Sequence, residues 1–245
     1  MNVLPYLYFS ILCAFFLITY KIKFGHIKED GFLIGWLVMF RISLFGDVMP
    51  GRLLSHSPKH TVDESIIDFV GDFQLKIANL ECVITDGSPA TSELKRNPKQ
   101  YTCKHASSKK QGLLLKTLGI GCCNLANNHI LDYGFEGVKD TIHFLNENSI
   151  KWFGFGRNWD VAWKPRIVKL PVREENAGTG ATVTRKQLVK VAVFGLADHF
   201  VEWKADDGAG INYFDIGNFQ SENKNVNRAR WQDIGYIYDQ IAKGN

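Results

Sequence analysis

Residues 123–134 read CNLANNHILDYG, and this stretch decides how the chain around it is expected to fold. An apolar run that ends in polar residues, just ahead of a helix pattern, is typical of a strand in an α/β protein. Because side chains at the carboxyl end of such a strand project into a crevice, Asn128 and His129 are candidates for function. An amide oxygen can bind a metal, and an imidazole transfers protons near neutral pH. Alternatively, the asparagines cap a turn and His129 is structural.

The same arrangement is predicted earlier in the chain. Residues 40–45 alternate as a strand that leads to Asp47, and residues 74–80 predict a second strand that ends at Glu81. Helix patterns separate and follow these strands, at residues 65–70, 111–118 and 135–146. Further strands are predicted at residues 120–126, 150–155, 167–172 and 188–196. Strands that alternate with helices indicate an α/β fold with a largely parallel sheet.

The composition is that of an ordinary globular protein, since 45% of the 245 residues are hydrophobic and 22% are charged. The net charge of +4 is mild and its basic residues are scattered, which argues against nucleic-acid binding. The five cysteines form no CxxC pair. Cys122 and Cys123 would face opposite sides of a strand, so buried free thiols are expected rather than a zinc site or disulfides.

Residues 1–38 form an apolar N-terminal segment with an uncharged run over residues 3–20. The run approaches the length of one membrane span, and lysines follow it rather than precede it, which favours an uncleaved anchor over a signal peptide. An anchor would make the protein membrane-associated, and without one it would be cytoplasmic. The alternative is that residues 1–38 are a mis-assigned extension, because Met39 stands just before a natural domain start. The main domain is expected over residues 39–245.

Three predicted strand ends carry Asp47, Glu81 and the pair Asn128-His129. Carboxylate and amide oxygens that converge from different segments suit a divalent cation, and zinc and iron also accept imidazole. A carboxylate such as Glu81 can bridge two metals, which together polarise a phosphoryl oxygen and activate water. His129 is then placed to protonate the leaving oxygen. The expected cofactors are divalent ions: Mn, Fe, Zn or Mg.

Four segments of the chain resemble the CapA family of capsule synthesis proteins. They are residues 46–52 (GDVMPGR), 78–81 (ANLE), 124–129 (NLANNH) and 132–134 (DYG). The resemblance extends over about residues 39–218. The family is associated with poly-γ-glutamate capsule production and is related to the calcineurin-like metallophosphoesterases. It implies a metallophosphoesterase-like sandwich with a largely parallel central sheet and flanking helices, here C-terminally incomplete.

The resemblance also implies roles for individual residues. Asp47 matches the first metal-binding aspartate, and Glu81 matches the bridging acid. Asn128 matches the metal-binding asparagine, and His129 matches the proton-donating histidine. Met49 stands where the wider phosphoesterases have a histidine ligand, a departure that CapA-like sequences share.

The expected function is therefore a CapA-like role in capsule biosynthesis, with a metal-dependent hydrolase-type site for an anionic polymer or a phosphoester. Arg52 is a candidate for holding an anionic substrate through its guanidinium, or is a solvated loop residue. The expected partners are other capsule-synthesis subunits and the membrane, with no nucleic acid. Two alternatives are a non-catalytic scaffold subunit of a membrane-associated polymer synthase and an inactive truncated relic. The alternatives arise because the family's distal histidine motifs have no match before Asn245.

Overall fold

The structure is a computed structural model. It describes residues 7–11, 16–23, 27–29, 32–34, 36–51, 62–87, 105–176, 179–198 and 201–213, with side chains described from residue 40 onward. Within these ranges no helix is both long enough and apolar enough to cross a membrane. The predicted anchor stays a prediction. The sequence also predicts an amphipathic helix at residues 231–241, and these lie outside the described residues.

Strands and helices alternate through the middle of the chain, as the sequence predicts. In the described ranges the strands are β1 (Leu7–Ile11), β2 (Phe16–Lys23), β3 (Ile27–Glu29), β4 (Phe32–Ile34), β5 (Trp36–Val48), β6 (Leu75–Leu80), β7 (Val83–Ile84), β8 (Ala106–Ser107), β9 (Cys122–Asn124), β10 (Lys151–Phe153), β11 (Phe155–Gly156), β12 (Arg166–Asn176), β13 (Thr182–Gly195) and β14 (Gly210–Ile211). The helices there are α1 (Glu64–Gly71), α2 (Lys109–Thr117), α3 (Gly134–Glu147) and α4 (Trp159–Ala162).

Local sequence signals begin the helices. At α2, the Ser108 side chain accepts a hydrogen bond from the backbone of Gln111, whose side chain accepts one from the backbone of Ser108. This capping box satisfies two amides that the helix cannot pair internally. The first helix starts in a similar way, because the Asp63 side chain accepts a hydrogen bond from the Ser65 backbone. The short helix α4 was not predicted; Asn158 caps it by accepting from the backbone of Val161.

The central part of the main sheet is parallel. β5, β6, β9 and β10 lie side by side in this order and run in one direction. On the other side, β12 runs antiparallel to both β5 and β13, β1 runs parallel to β13, and β2 pairs antiparallel with β5. The predicted α/β fold with a largely parallel central sheet and flanking helices is confirmed, and it is consistent with a metallophosphoesterase-like fold.

Apolar residues cover both faces of this sheet. The core on one face joins the sheet to α2 and α3 and includes Cys123. The core on the other face includes Cys122 and lies between the parallel strands and the hairpin of β12 and β13. The sheet therefore curls over itself, and the Arg166 side chain on β12 donates to the backbone of Trp152 on β10 at 2.9 Å. Cys122 and Cys123 do face opposite sides, and both are buried free thiols, as expected.

The hairpin is longer than the sequence suggests. The turn-rich residues 174–184 predict a loop, yet β12 and β13 stay paired to Glu175 and Thr182. The turn is closed by Asn176, whose backbone amide donates to Ala181 at 2.9 Å. Likewise, β5 begins at Trp36, ahead of the strand predicted at residues 40–45. β5 and the two hairpin strands therefore extend beyond the residues whose apolar alternation predicts a strand. Backbone pairing allows this, because main-chain hydrogen bonds do not depend on side-chain type.

Candidate functional site

The register of the parallel strands places polar side chains in a row across the sheet. Asp47 on β5 is paired with Asn79 on β6, and Asn79 is paired with Asn124 on β9. The register of β5 shifts just before Asp47, between Phe45 and Asp47. Because the three strands run in one direction, this row and the residues that follow it lie at one edge, the carboxyl edge of the sheet.

Asn79 joins the members of this row. Its Nδ2 donates to Asp47 Oδ1 at 2.8 Å and also to Glu81 Oε2. Its Oδ1 accepts hydrogen bonds from the side-chain amides of Asn124 at 3.0 Å and Asn127 at 3.2 Å. Asn79 and Glu81 are both buried. The buried side-chain amide of Asn79 therefore holds two carboxylates close together. It also connects them to β9, the strand that leads to Asn128 and His129.

Asn127 shapes the turn after β9. Its Nδ2 donates to the backbone oxygen of Leu80 at 2.8 Å, and its Oδ1 accepts from the backbone amides of His129 and Ile130, each at 3.0 Å. The interpretation that an asparagine caps this turn is therefore correct for Asn127. The neighbouring Asn128 is half-buried and takes no part in this network.

His129 is held by Asp132 and covered by a second histidine. The distance from His129 Nδ1 to Asp132 Oδ2 is 2.8 Å, and the backbone amide of His105 donates to the same oxygen at 2.7 Å. The rings of His105 and His129 meet edge to face with centroids 4.2 Å apart. Tyr133 occupies the position before α3 and makes no side-chain cap, so Asp132 orients His129 rather than caps the helix.

Electrostatics link the carboxylates to the imidazole. Burial raises the pKa of Glu81 from its ordinary 4.5 to about 7, and the charge of Asp47 acts in the same direction. For His129, burial lowers the pKa, but the hydrogen bond and the charge of Asp132 outweigh burial, and the charges of Glu81 and Asp47 add to the rise. The net effect is a raised pKa of His129. The Glu81 carboxylate and the His129 imidazole are therefore close enough for the charge of each to shift the pKa of the other.

The end of β13 packs against this site from the side. A Cβ placed on Gly195 would lie 1.7 Å from Asn124 Oδ1 and 2.6 Å from its Cγ, so no larger residue fits there without a shift. Asn212 donates from Nδ2 to the backbone oxygen of Gly195 at 2.8 Å. The glycine thus allows the hairpin to approach the asparagine that supports Asn79.

The structure brings together most of the residues that the sequence singles out. Asp47, Glu81 and His129 converge at the carboxyl edge, and Asn128 directly precedes His129, whereas Arg52 lies outside the described residues. The sequence analysis assigned no role in the site to Asn79, Asn124 or His105, and it foresaw for Asn127 only the capping of the turn. A signal existed for the three asparagines, because each is an amide close to a predicted ligand in the sequence. None existed for His105, which lies far from the motif in sequence.

The donor atoms at this edge fit a divalent cation. In the described part of the chain, no group of three or more His, Cys, Asp and Glu residues is arranged to hold a metal. The predicted set consists instead of two carboxylates and an amide, which are the oxygen ligands that hard cations prefer. The buried Asp132 Oδ1 has no hydrogen-bond partner. A nearby positive charge would favour the ionised form of Glu81, which burial and Asp47 disfavour.

These observations define an α/β protein with a carboxylate, amide and imidazole site at the carboxyl edge of parallel strands. The family model described as "Bacterial capsule synthesis protein PGA_cap" matches residues 41–208. The chain belongs to this bacterial capsule synthesis family, and the resemblance to CapA proteins is confirmed.

Curated relatives agree with this assignment. The capsule biosynthesis protein CapA of Bacillus anthracis is 28% identical over 163 residues, which cover 65% of this chain and 35% of the relative. The PGA biosynthesis protein CapA of Bacillus subtilis strain 168 is 28% identical over 147 residues, 58% of this chain and 36% of the relative. An uncharacterized protein of Sinorhizobium fredii, y4sH, is 28% identical over 136 residues, 53% of this chain and 28% of the relative. The matched part spans about a third of the length of these relatives.

Proposed function

We propose that this chain carries a metal-dependent hydrolase-type site that acts in capsule biosynthesis. In this proposal Asp47, Glu81 and Asn128 hold a divalent cation (Mn, Fe, Zn or Mg), and His129 transfers a proton. The observation that carries the proposal is that Asp47 and Glu81 converge on one amide nitrogen of Asn79. Two carboxylates held together in this way, one of them buried, are the arrangement that a cation neutralises.

A divalent cation, when bound, supplies a Lewis acid and lowers the pKa of water. The chain's own residues do the rest. Asp132 is an acceptor, so the His129 nitrogen that faces it, Nδ1, carries a hydrogen, and Nε2 is the nitrogen that gains or loses a proton. The Asp132 carboxylate also stabilises the protonated imidazole, which suits His129 to donate a proton to a leaving oxygen or nitrogen.

The substrate and partners are part of the proposal. The names of the two Bacillus relatives refer to capsule and PGA biosynthesis, which supports an anionic polymer as the substrate. A phosphoester is the alternative substrate. Arg52 is proposed to hold the anionic group through its guanidinium. Other capsule-synthesis subunits and the membrane surface are the proposed partners.

Metal binding by the purified chain tests the first half of the proposal. Calorimetric titration of manganese into chelator-treated protein is expected to show saturable, stoichiometric binding. Asp47→Asn and Glu81→Gln remove a charge with little change in shape, and each is expected to abolish binding. Glu136→Gln is the matched control, since Glu136 is exposed and pairs with Lys139 on α3. Unchanged affinity in both site variants would contradict a shared site.

Measurement of substrate turnover tests the second half of the proposal, that the site catalyses hydrolysis. A screen of phosphodiester and peptide substrates with manganese-loaded protein is expected to give hydrolysis that His129→Gln removes while manganese affinity stays unchanged. Metal binding without turnover of any substrate would instead support the scaffold alternative, in which the cation has a structural role. Folded protein that binds no metal would overturn the proposal.

A further inference from the structure

A second polar site lies at the opposite end of the parallel strands. It is a cavity of about 260 Å³. Its lining residues are Arg41, Asp72, Gln74, Arg173 and Thr182. Gln74 directly precedes β6, so the cavity lies at the amino end of this strand, whereas Glu81 follows its carboxyl end. Arg41 and Asp47 lie six positions apart on β5, which is about 20 Å in an extended strand.

The cavity has an excess of positive charge. Arg41 Nη1 contacts Asp72 Oδ2 at 2.9 Å, and Arg173 Nη1 donates to the backbone oxygen of Asp72 at 3.5 Å. Two guanidinium groups from different strands therefore approach the same residue, which offers one carboxylate. Because that carboxylate pairs with Arg41, the charge of Arg173 is not neutralised by an acid among the residues that line the cavity.

The cavity is supported by three strands. Gln74 Nε2 donates to the backbone oxygen of Pro171 on β12 at 2.8 Å, and Gln74 Oε1 accepts from the backbone amide of Arg41 at 3.4 Å. The backbone amide of Gln74 donates in turn to the oxygen of Arg41 at 2.8 Å. The chain segments that carry the two arginines are thus fixed relative to each other, which reduces the conformational entropy lost on binding.

We propose that this cavity binds a small oxyanion, a carboxylate or phosphate group, between Arg41 and Arg173. A guanidinium presents N–H donors in a planar fork that matches the two oxygens of such a group. Thr182 adds a hydroxyl donor at the rim. The volume is below the usual range for drug-sized ligands, about 300–1,000 Å³, so the site suits a small anion or the anionic end group of a larger molecule. This site is separate from the proposed metal site.

Titration of two small anions tests the proposal. Inorganic phosphate and glutarate are titrated separately into the full chain by calorimetry, at constant ionic strength and with a chelator present. We expect saturable binding of at least one of them with one site per chain. Saturation with phosphate alone identifies a phosphate-bearing ligand, saturation with glutarate alone identifies a carboxylate ligand, and saturation with both supports the shared oxyanion chemistry.

Single substitutions test whether the anion binds in this cavity. Arg173→Gln and Arg41→Gln are each expected to weaken the affinity about tenfold or more, the size expected for a lost hydrogen bond to a charged group. Arg185→Gln is the matched control, because it removes the same charge from the same hairpin outside the cavity, and it should change the affinity less than twofold. Asp47→Asn, at the other end of β5, should leave the affinity unchanged.

Three results would overturn the proposal. The first is no saturable binding of either anion at millimolar concentration to the folded wild-type chain. The second is equal weakening by Arg173→Gln and Arg185→Gln, which would indicate general electrostatic attraction. The third is weakening by Asp47→Asn comparable to that by Arg173→Gln, which would place the anion at the proposed metal site. Thermal unfolding of every variant confirms that the affinities refer to folded protein.

Discussion

The carboxyl edge of the parallel strands and the hairpin of β12 and β13 are held together by different kinds of bond. At the carboxyl edge, side chains bond to one another: the buried Asn79 contacts four other polar side chains, of which only Asp47 is exposed. In the hairpin, the backbone ladder provides most of the pairing, and β13 is exposed from Thr182 to Leu188. Its charged pair, Arg185 with Glu174, lies near the surface.

This difference bears on the proposed metal site. Buried polar groups cost stability unless each finds a partner, and an apolar edge would avoid that cost. In the described part of the hairpin the strands pair chiefly through the backbone ladder, so a buried polar network is not required for these strands to pair. The polar edge is therefore consistent with the metal site proposed above. The following predictions test this contrast, in order of decreasing effect.

The largest effect is expected from Asn79→Ala. The substitution removes the amide that joins Asp47, Glu81, Asn124 and Asn127. The buried Glu81 carboxylate then loses a hydrogen bond, and the side-chain amide groups of Asn124 and Asn127 keep only their bonds to the backbone. We expect a loss of about 3 kcal/mol or more in the free energy of unfolding, measured in urea. The control Thr184→Val keeps a β-branched residue at an exposed position of β13 and should change stability by less than about 0.5 kcal/mol. Equal losses would show that the two regions do not differ.

Gly195→Ala should be the next most damaging change. The added Cβ would overlap Asn124 Oδ1, and overpacking in a closed site typically costs about 1–3 kcal/mol. Gly180, in the turn of the same hairpin, has φ +68° and nothing within 4 Å of an added Cβ. Gly180→Ala should therefore cost only about 1 kcal/mol, through backbone strain alone. Chemical denaturation of both variants gives the comparison, and a smaller loss for Gly195→Ala would refute the close packing inferred here.

The pH dependence of stability should report Glu81. Its pKa in the folded chain, about 7, lies above the ordinary 4.5, so between these values the folded state binds more protons than the unfolded state. Stability of metal-free protein should therefore fall as the pH rises from 4.5 to 7, by an amount on the order of 2 kcal/mol.

Glu81→Gln should flatten this slope, whereas Glu136→Gln on the exposed face of α3 should not. The two variants are best compared below pH 6. His129, whose pKa is raised, also makes stability fall as the pH rises, but mainly above its ordinary pKa of 6.5. Urea unfolding at a series of pH values, with a chelator present, gives the slope. An identical slope in wild type and Glu81→Gln would contradict the buried environment assigned to Glu81.

The smallest effect is expected in the hairpin. Glu174→Gln breaks the contact with Arg185, a pair in which the arginine side chain is half exposed. Pairs of this kind contribute about 0–1 kcal/mol, and salt screens them. We expect a loss of less than 1 kcal/mol in thermal or urea unfolding that shrinks further at high salt. A loss as large as that of Asn79→Ala would mean that the hairpin also depends on its side-chain contacts.

Much of the site could be predicted because it follows strand ends. Asp47 and Glu81 terminate apolar runs, and the carboxyl ends of parallel strands meet at one edge of a sheet. Asn79 was not predicted, although it stands two residues before Glu81. Inside a buried strand its pattern is that of a residue that faces the core, and only the register shows that it faces Asp47 and Asn124.

Local sequence determined the elements whose causes are local. The alternation of residues 40–45, the capping box of α2 and the apolar face of α3 each depend on neighbours within a few residues, so these elements lie close to where they were predicted. The motif CNLANNHILDYG likewise indicated the turn that Asn127 caps, whereas the pairing of Asp132 with His129 is seen only in the structure.

Tertiary structure decided which distant residues meet. His105 covers His129, Gly195 packs against Asn124, and Arg41 and Arg173 converge on Asp72, although each set joins segments far apart in the chain. Such contacts depend on strand register and on how the hairpin curls over the sheet. These are set by the packing of whole faces against each other, a property that no short stretch of sequence contains.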